Sequence, residues 1–159
     1  MAQKSLQYST LKIKDGGSNN ITVKLGEGTI TWTQKRPVKY VKNRGLLDTV
    51  RIADQEPLEV SFTGVYEWIK GDTGDPVNIY EALTKTGEAA AWASADSDTC
   101  APYAVDLEIT YDPVCSGAKN EIILFSDFRY ESIDVDEKEG TFSIKGMCNV
   151  TAPTVTRST

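Results

Sequence analysis

Two acidic stretches carry the residue types from which a catalytic or metal site could be built. In "DVDEKEG", residues 134–140, Asp134 and Asp136 have the spacing that opens a calcium-binding loop. Such a loop also needs an oxygen ligand at position 138 and a glycine at position 139. Because Lys138 and Glu139 stand there, the stretch indicates an acidic turn between two strands and not a calcium site.

The second stretch, "YAVDLEITY", carries Asp106 and Glu108 on alternate positions of a strand pattern. A carboxylate pair can serve as general acid and base in a hydrolase. The polar face of any solvated strand carries similar acids, however, and the chain has no histidine to activate a serine or cysteine. We therefore expect no enzymatic activity and no cofactor, with a small carboxylate hydrolase as the least favoured alternative.

The three cysteines, Cys100, Cys115 and Cys148, have no C-x-x-C spacing and no histidine partner, so no zinc or other metal site is expected. If the last three long strands form an antiparallel meander, Cys115 and Cys148 lie at the same end. They are then the candidate disulfide, and Cys100 is left to bond a neighbouring subunit under oxidising conditions. The alternative is three reduced thiols, which a cytoplasmic origin favours.

Charge is unevenly distributed along the 159 residues, whose net charge is −6. Residues 1–80 hold 11 Lys and Arg against 9 Asp and Glu, whereas residues 81–159 hold 6 against 14. Six basic residues fall within 35–51, where the single acid is Asp48. A chain with this polarity can attract copies of itself. Phosphate binding by the basic cluster is the weaker interpretation, because no nucleic-acid-binding motif surrounds it.

No apolar run reaches the ~18 residues of a membrane-spanning helix, so no membrane insertion by this chain is expected. The N-terminal sequence "MAQKSLQYST" lacks the hydrophobic segment of a signal peptide. We therefore expect the protein to be made in a cytoplasm and not to be exported by that route.

The elements that position these residues are mostly short strands. The strongest pattern is residues 58–69, where Leu58, Val60 and Phe62 alternate with polar residues. "ITVKL" and "TITWTQ" flank "GEG" and predict a hairpin, and "PVKYV" is expected to continue the sheet. "DPVNIYEALTKTG" predicts one helix, with Asp75 as N-cap and Gly87 as the stop. The fold class is mainly β: one domain over residues 1–159, an antiparallel sandwich or barrel with one flanking helix.

The connection at about residues 42–57 is predicted to be a long extended loop, or arm, that protrudes from the domain. It is charged and turn-rich, yet it carries four aliphatic side chains, at Leu46, Leu47, Val50 and Ile52. A loop this apolar is costly for a monomer.

The order of these segments resembles the major tail tube protein family of tailed bacteriophages, which is related to the inner tubes of contractile injection systems and type VI secretion. The resemblance covers "ITVKLGEGTITWTQKRPVKYV", the charged arm "KNRGLLDTVRIADQEP", the strand "LEVSFTGVYEWI", one helix and an acidic β-rich C-terminal half. Its most specific part runs from Arg44 to Phe62.

The resemblance implies a structural virion protein. Six copies would form a ring around a channel, and rings would stack into a helical tube that conducts DNA to the host during ejection. It implies a location in the virion tail, assembly in the bacterial cytoplasm, and sheath, tape-measure, baseplate and terminator proteins as further partners. DNA would pass through the channel without specific binding.

The resemblance also assigns roles to particular residues. The arm would contact the adjacent ring through seven residues: Lys42, Arg44, Leu46, Leu47, Val50, Arg51 and Ile52. The candidate acids of the channel are Glu59, Glu67, Asp106 and Glu108. A tail terminator or head-tail connector is an alternative within the virion class. Outside it, the alternative is a monomeric, carbohydrate-binding-like β-sandwich that presents Trp68, Trp92 or Tyr103 on a flat face.

Overall fold

The computed structural model describes residues 6–66, 77–112 and 119–158. Ten strands and one α-helix occupy them: β1 (Ser9–Lys14), β2 (Asn20–Val23), β3 (Ile30–Thr33), β4 (Val38–Asn43), β5 (Leu46–Ile52), β6 (Leu58–Val65), α1 (Ile79–Thr84), β7 (Val105–Tyr111), β8 (Glu121–Asp136), β9 (Thr141–Cys148) and β10 (Thr154–Arg157). Short 3₁₀ turns lie at Leu6–Tyr8 and Gly87–Ala89.

Every strand pairing is antiparallel, and eight of the strands form one continuous hydrogen-bonded sheet, in which the long strand β8 joins two layers. Its first residues, from Glu121 to Leu124, pair with β7 on one side and β10 on the other, and β7 continues to β1 and β2. From Phe128 onward β8 pairs with β9, which continues to β6 and β3. We name these layers the first sheet (β2-β1-β7-β8-β10) and the second sheet (β8-β9-β6-β3).

The passage of β8 between the sheets coincides with a local irregularity. The register of β7 against β8 shifts between Val105 and Leu107. Asp127 lies opposite this shift with φ of 56°, a left-handed conformation that Asp tolerates better than most residues. A bulge of this kind bends a strand and increases its twist, which allows one strand to serve both layers.

The core lies between the two sheets and is built by alternation. Along β6 every second residue from Leu58 to Gly64 is buried, which confirms the strand predicted there. Phe62 stands at the centre, with its ring 6.1 Å from that of Phe128 and 5.8 Å from that of Phe142. Because such rings fill a close-packed interior, Phe62→Ala would remove about 3–5 kcal/mol of stability.

The mainly β class, the single short helix and the antiparallel meander β7-β8-β9 are as expected, but the hairpin over "ITVKLGEGTITWTQ" is wrong. β2 pairs with β1 in the first sheet, whereas β3 pairs with β6 in the second. The "GEG" turn therefore crosses between layers. At Gly28 a Cβ would lie 2.1 Å from the carbonyl oxygen of Thr63, so this crossing requires glycine.

The helix is shorter than predicted. It begins after Asn78, whose side chain accepts the N–H of Tyr80, while Glu81 accepts the N–H of Asn78 in return. It ends at Lys85, which has φ of 55°, and Gly87 opens the following 3₁₀ turn instead of stopping the helix. The predicted N-cap, Asp75, lies outside the described residues.

The arm and its surroundings also differ from the prediction. β4 does not continue the main sheet, because it pairs with β5 in a separate two-stranded sheet. The predicted extended loop at 42–57 is thus mainly the second half of a β-hairpin over residues 38–52. The sequence pattern also missed β10, a short polar edge strand that pairs with β8.

Candidate assembly interface

The hairpin of β4 and β5 is strongly exposed to solvent. It turns at Arg44 and Gly45, with φ of 50° and 82°, the positive pair of angles that a two-residue turn between twisted strands favours. Every residue of β5 is exposed. The exposed fraction is 74% for both Leu46 and Leu47 and 76% for Ile52. Side chains this apolar are rarely left in water without a partner.

The strand pairing separates the hairpin into two faces, because residues directly opposite each other project to the same side. Tyr40 lies opposite Val50. Val38 lies opposite Ile52 two positions further along the same side. A register shift between Val41 and Lys42 then places Leu47 opposite Lys42 on this side as well. We name this side the apolar face of the hairpin: Val38, Tyr40, Leu47, Val50 and Ile52.

The opposite side carries positive charge. Lys39 and Arg51 lie directly opposite each other, and like charges in this relation destabilise a strand pair. Within the described part of the chain, no ion pair with a carboxylate joins Lys39, Lys42, Arg44 or Arg51. The hairpin is therefore both apolar and basic, and both properties call for a partner surface.

The base of the hairpin is held to the body at one end of β6. Ala53 donates its N–H to the carbonyl oxygen of Pro37 at 3.1 Å, which closes the two strands where they leave the body. Lys35 binds Glu59 at 3.0 Å and Glu56 at 3.4 Å. The hydrogen bonds to Glu59 and then to Glu56 raise the pKa of Lys35.

The seven predicted contact residues of the arm are thus brought onto one hairpin, but they are split between its faces. Leu47, Val50 and Ile52 lie on the apolar face, Lys42 projects to the same side opposite Leu47, and Arg44 lies in the turn. Arg51 lies on the opposite face, as does Leu46 through its pairing with Asn43. Sequence reasoning overlooked Val38 and Tyr40 as partners in the apolar face, because that face depends on a pairing that the linear pattern does not show.

The three candidate channel acids in the described residues fall into two groups on different sheets. Glu59 projects outward from the second sheet and is bound by Lys35. Asp106 and Glu108 project outward from β7 in the first sheet, where Lys14 binds Glu108. A channel lined by one outer face would contain only one of these groups. Glu67 lies outside the described residues.

Asp106 on β7 lies opposite the bend of β8, where it contacts Asp127. Asp106 accepts the N–H of Asp127 at 3.1 Å. Burial raises the pKa of Asp106, and the charge of Asp127 adds to the effect. Burial, with these two carboxylates nearby, raises the pKa of Cys148 to about 12, which keeps this thiol protonated at neutral pH.

The cysteines give no further chemistry in the described residues. Cys148 is a buried free thiol and Cys100 an exposed free thiol. The predicted partner of Cys148, Cys115, lies outside the described residues, so their pairing stays a prediction.

The acidic stretch at the β8–β9 turn is a structural turn. Asp136 accepts the N–H groups of Lys138 and Glu139 at 3.0 and 3.1 Å, and Gly140 has φ of 64°. The described residues contain no group of three or more His, Cys, Asp or Glu that could hold a metal ion. Among them there is also no helix long and apolar enough to cross a membrane.

Two of the three aromatic residues of the alternative binding module do not lie free on an exposed face. Trp92 is only 5% exposed and belongs to the core. Tyr103 is half-buried and donates its hydroxyl to the carbonyl oxygen of Ala82. Burial, with Asp15 nearby, raises the pKa of Tyr103 to about 12. Trp68 lies outside the described residues.

The fold and the exposed hairpin define the chain as a β-sandwich with a protruding two-stranded extension. No protein-family model matches it, and no curated protein matches it. The functional argument therefore depends on the geometry of the chain itself.

Proposed function

We propose that the protein is a structural subunit that polymerises through its β4–β5 hairpin, as the resemblance to tail tube proteins implies. The observation that supports this most directly is the apolar face of the hairpin, where Val50 and Ile52 are 62% and 76% exposed. An isolated two-stranded hairpin is marginally stable in water. Burial against a second copy would stabilise the hairpin and remove its apolar surface from water.

The charge distribution gives the assembly a direction. A basic hairpin on an acidic body makes contacts between unlike surfaces, and a contact between unlike surfaces that does not close on itself generates a filament. The ring of six, the location in a virion tail and the conduction of DNA extend this proposal by resemblance. In this function the protein has no chemistry to perform.

The test is removal of the hairpin. Because Ala53 donates directly to Pro37, residues 38–52 can be replaced by Asn-Gly without stretching the body. We expect the full-length chain to form rings or tubes in negative-stain electron microscopy. The shortened chain should keep its β-rich circular dichroism spectrum and elute as a monomer of less than 17.4 kDa.

A matched control keeps the hairpin and changes another exposed apolar residue, Val155→Ser on β10. This variant should assemble like the original chain. Assembly of the shortened chain would refute the role of the hairpin. A full-length chain that stays monomeric at high concentration would refute polymerisation altogether and favour a binding module.

A further inference from the structure

A groove of about 580 Å³ lies at the end of β6 that is far from the base of the hairpin. It is formed by the ends of β6 and β8, the start of β9 and the turn after β2. Four apolar residues contribute to its walls: Leu25, Val65, Val135 and Phe142. The groove can therefore take apolar side chains.

The rim of this groove is acidic. Glu27, Asp134 and Asp136 line it, and the adjacent turn adds Glu137 and Glu139 against a single lysine. Asp136 is engaged with the N–H groups of the turn. Within the described part of the chain, no ion pair joins Glu27 or Asp134 to a basic side chain.

The hairpin and the groove lie at opposite ends of the same strand. The hairpin leaves the body next to Leu58, which pairs with Cys148, whereas the groove lies beside Val65, which pairs with Thr141. Seven residue steps along a strand separate these positions by ~23 Å. Because all of β5 is exposed, the hairpin does not occupy the groove of its own chain.

We propose that this groove receives the tip of the β4–β5 hairpin of a second copy of the chain. Leu46 and Leu47 lie on opposite faces of the tip, so a tip that enters end-on packs both leucines against the apolar walls. Lys42 and Arg44 then face the two rim carboxylates. This inference rests on the proposed function and adds the receiving surface, which makes each subunit a donor at one end and an acceptor at the other.

The test is a charge exchange between the two surfaces. The groove variant Glu27→Lys/Asp134→Lys and the tip variant Lys42→Glu/Arg44→Asp should each reduce polymer yield at least about tenfold. An equimolar mixture should recover polymers in which the two variants alternate, because each tip then meets a groove of opposite charge. A single chain with all four substitutions should polymerise alone.

The substitutions are chosen to spare the fold. Asp136 is kept because it holds the β8–β9 turn. Arg44 is changed to Asp because its φ of 50° suits Asp better than Glu. The matched control is Glu88→Lys/Asp112→Lys, an equal change of charge at two exposed acids outside the groove, and it should leave polymer yield unchanged. Thermal melting checks that every variant folds.

The outcomes separate the two proposals. If the original chain polymerises and the groove variant polymerises equally well, or if no combination recovers the yield, the groove assignment is wrong while hairpin-mediated assembly stands. A monomeric original chain overturns both. If the lysine substitutions prevent folding, Glu27→Gln/Asp134→Asn replaces them, and unchanged polymerisation of that milder variant equally overturns the assignment.

Discussion

At the scale of single residues, the carboxylates of this chain fall into two environments with opposite consequences for stability. Burial alone would raise the pKa of Asp15, but its oxygens accept four N–H groups, from the side chain of Asn19 and the backbones of Ala93, Gly17 and Asn19, which lower it. Asp15 therefore stabilises the fold above its ordinary pKa of 3.8, and this contribution is lost as the pH falls.

Asp127 is the opposite case, because burial and the charge of Asp96 raise its pKa. A raised pKa means that the folded state holds the proton more tightly than the unfolded chain. Stability therefore decreases as the pH rises from the ordinary value of 3.8 through the folded pKa, and the penalty is fully present at neutral pH. Protonation of Asp127 removes this penalty.

Asp127→Asn should therefore stabilise the protein at pH 7 and not at pH 3.5. Asn also tolerates the φ of 56° at this position. The site is partly exposed, so solvent screening keeps the gain small, a rise of about 1–2 °C in Tm. Differential scanning calorimetry at both pH values measures it, with Asp54→Asn on an exposed connection as the control. A lower Tm at pH 7 would show that the charge of Asp127 stabilises the bend.

At the scale of elements, the β4–β5 hairpin has little to stabilise it within its own chain. Its strands bond only to each other in the described structure, and its apolar residues have no core to enter. Elements with exposed backbone hydrogen bonds open with little free energy. The hairpin should therefore be loosely held in the monomer and become firm only when a neighbouring copy covers it.

Hydrogen exchange provides the test of this difference. In a monomeric sample, amides of β4 and β5 should exchange at least about a hundredfold faster than those of β6, whose strand is paired on both sides. In polymers, protection of the hairpin should rise while that of β6 stays constant. Mass spectrometry of peptides covering residues 38–52 and 58–65 measures both. A hairpin that is equally protected in both states would mean that it is not part of the contact.

The sequence pattern predicts those strands whose burial follows local alternation, but it does not predict which strands pair when the partners are distant in the chain. The alternation around Phe62 identified β6, since burial follows a period of two. The apparent hairpin around "GEG" failed because a glycine turn is equally suited to crossing between sheets. The arm was predicted as a loop because its central pairing, Tyr40 with Val50, becomes visible only once the two strands are aligned.

The candidate interface likewise contains one part that the sequence predicts and one part that only the fold shows. Composition alone identifies the aliphatic residues of the arm but not the groove, because the walls of the groove come from three regions that are distant in sequence and include Leu25, Val65 and Phe142. Two acids of the rim, Asp134 and Asp136, belong to the stretch that resembles a calcium loop in sequence. The proposed role of the rim depends on the turn after β2, which brings Glu27 to the same groove as Asp134.

At the scale of the whole molecule, the separation of charge along the chain becomes a separation in space. The basic residues between 35 and 51 lie on the hairpin or at its base, and the acids between 134 and 139 lie near the groove at the other end of β6. Copies aligned head to tail bring unlike charges together, whereas copies aligned tip to tip repel each other. Electrostatics thus favours one polarity of assembly and accelerates encounter more than it strengthens the final contact.

The salt concentration should separate the electrostatic contribution to encounter from the apolar contribution to the final contact. Raising NaCl from 50 to 500 mM shortens the screening length to about a third of its initial value. The rate of polymer growth, followed by light scattering after a concentration jump, should fall several-fold. Dissociation of preformed polymers on dilution should change little, because salt does not screen the apolar contacts of the leucines at the hairpin tip and of the apolar face.

The variant Leu46→Ser/Leu47→Ser should show the opposite defect. Its polymers should grow at a rate that still depends on salt, but they should dissociate rapidly on dilution. Growth that does not respond to salt in the original chain would assign assembly to the apolar contact alone and leave the charge separation without a role in it.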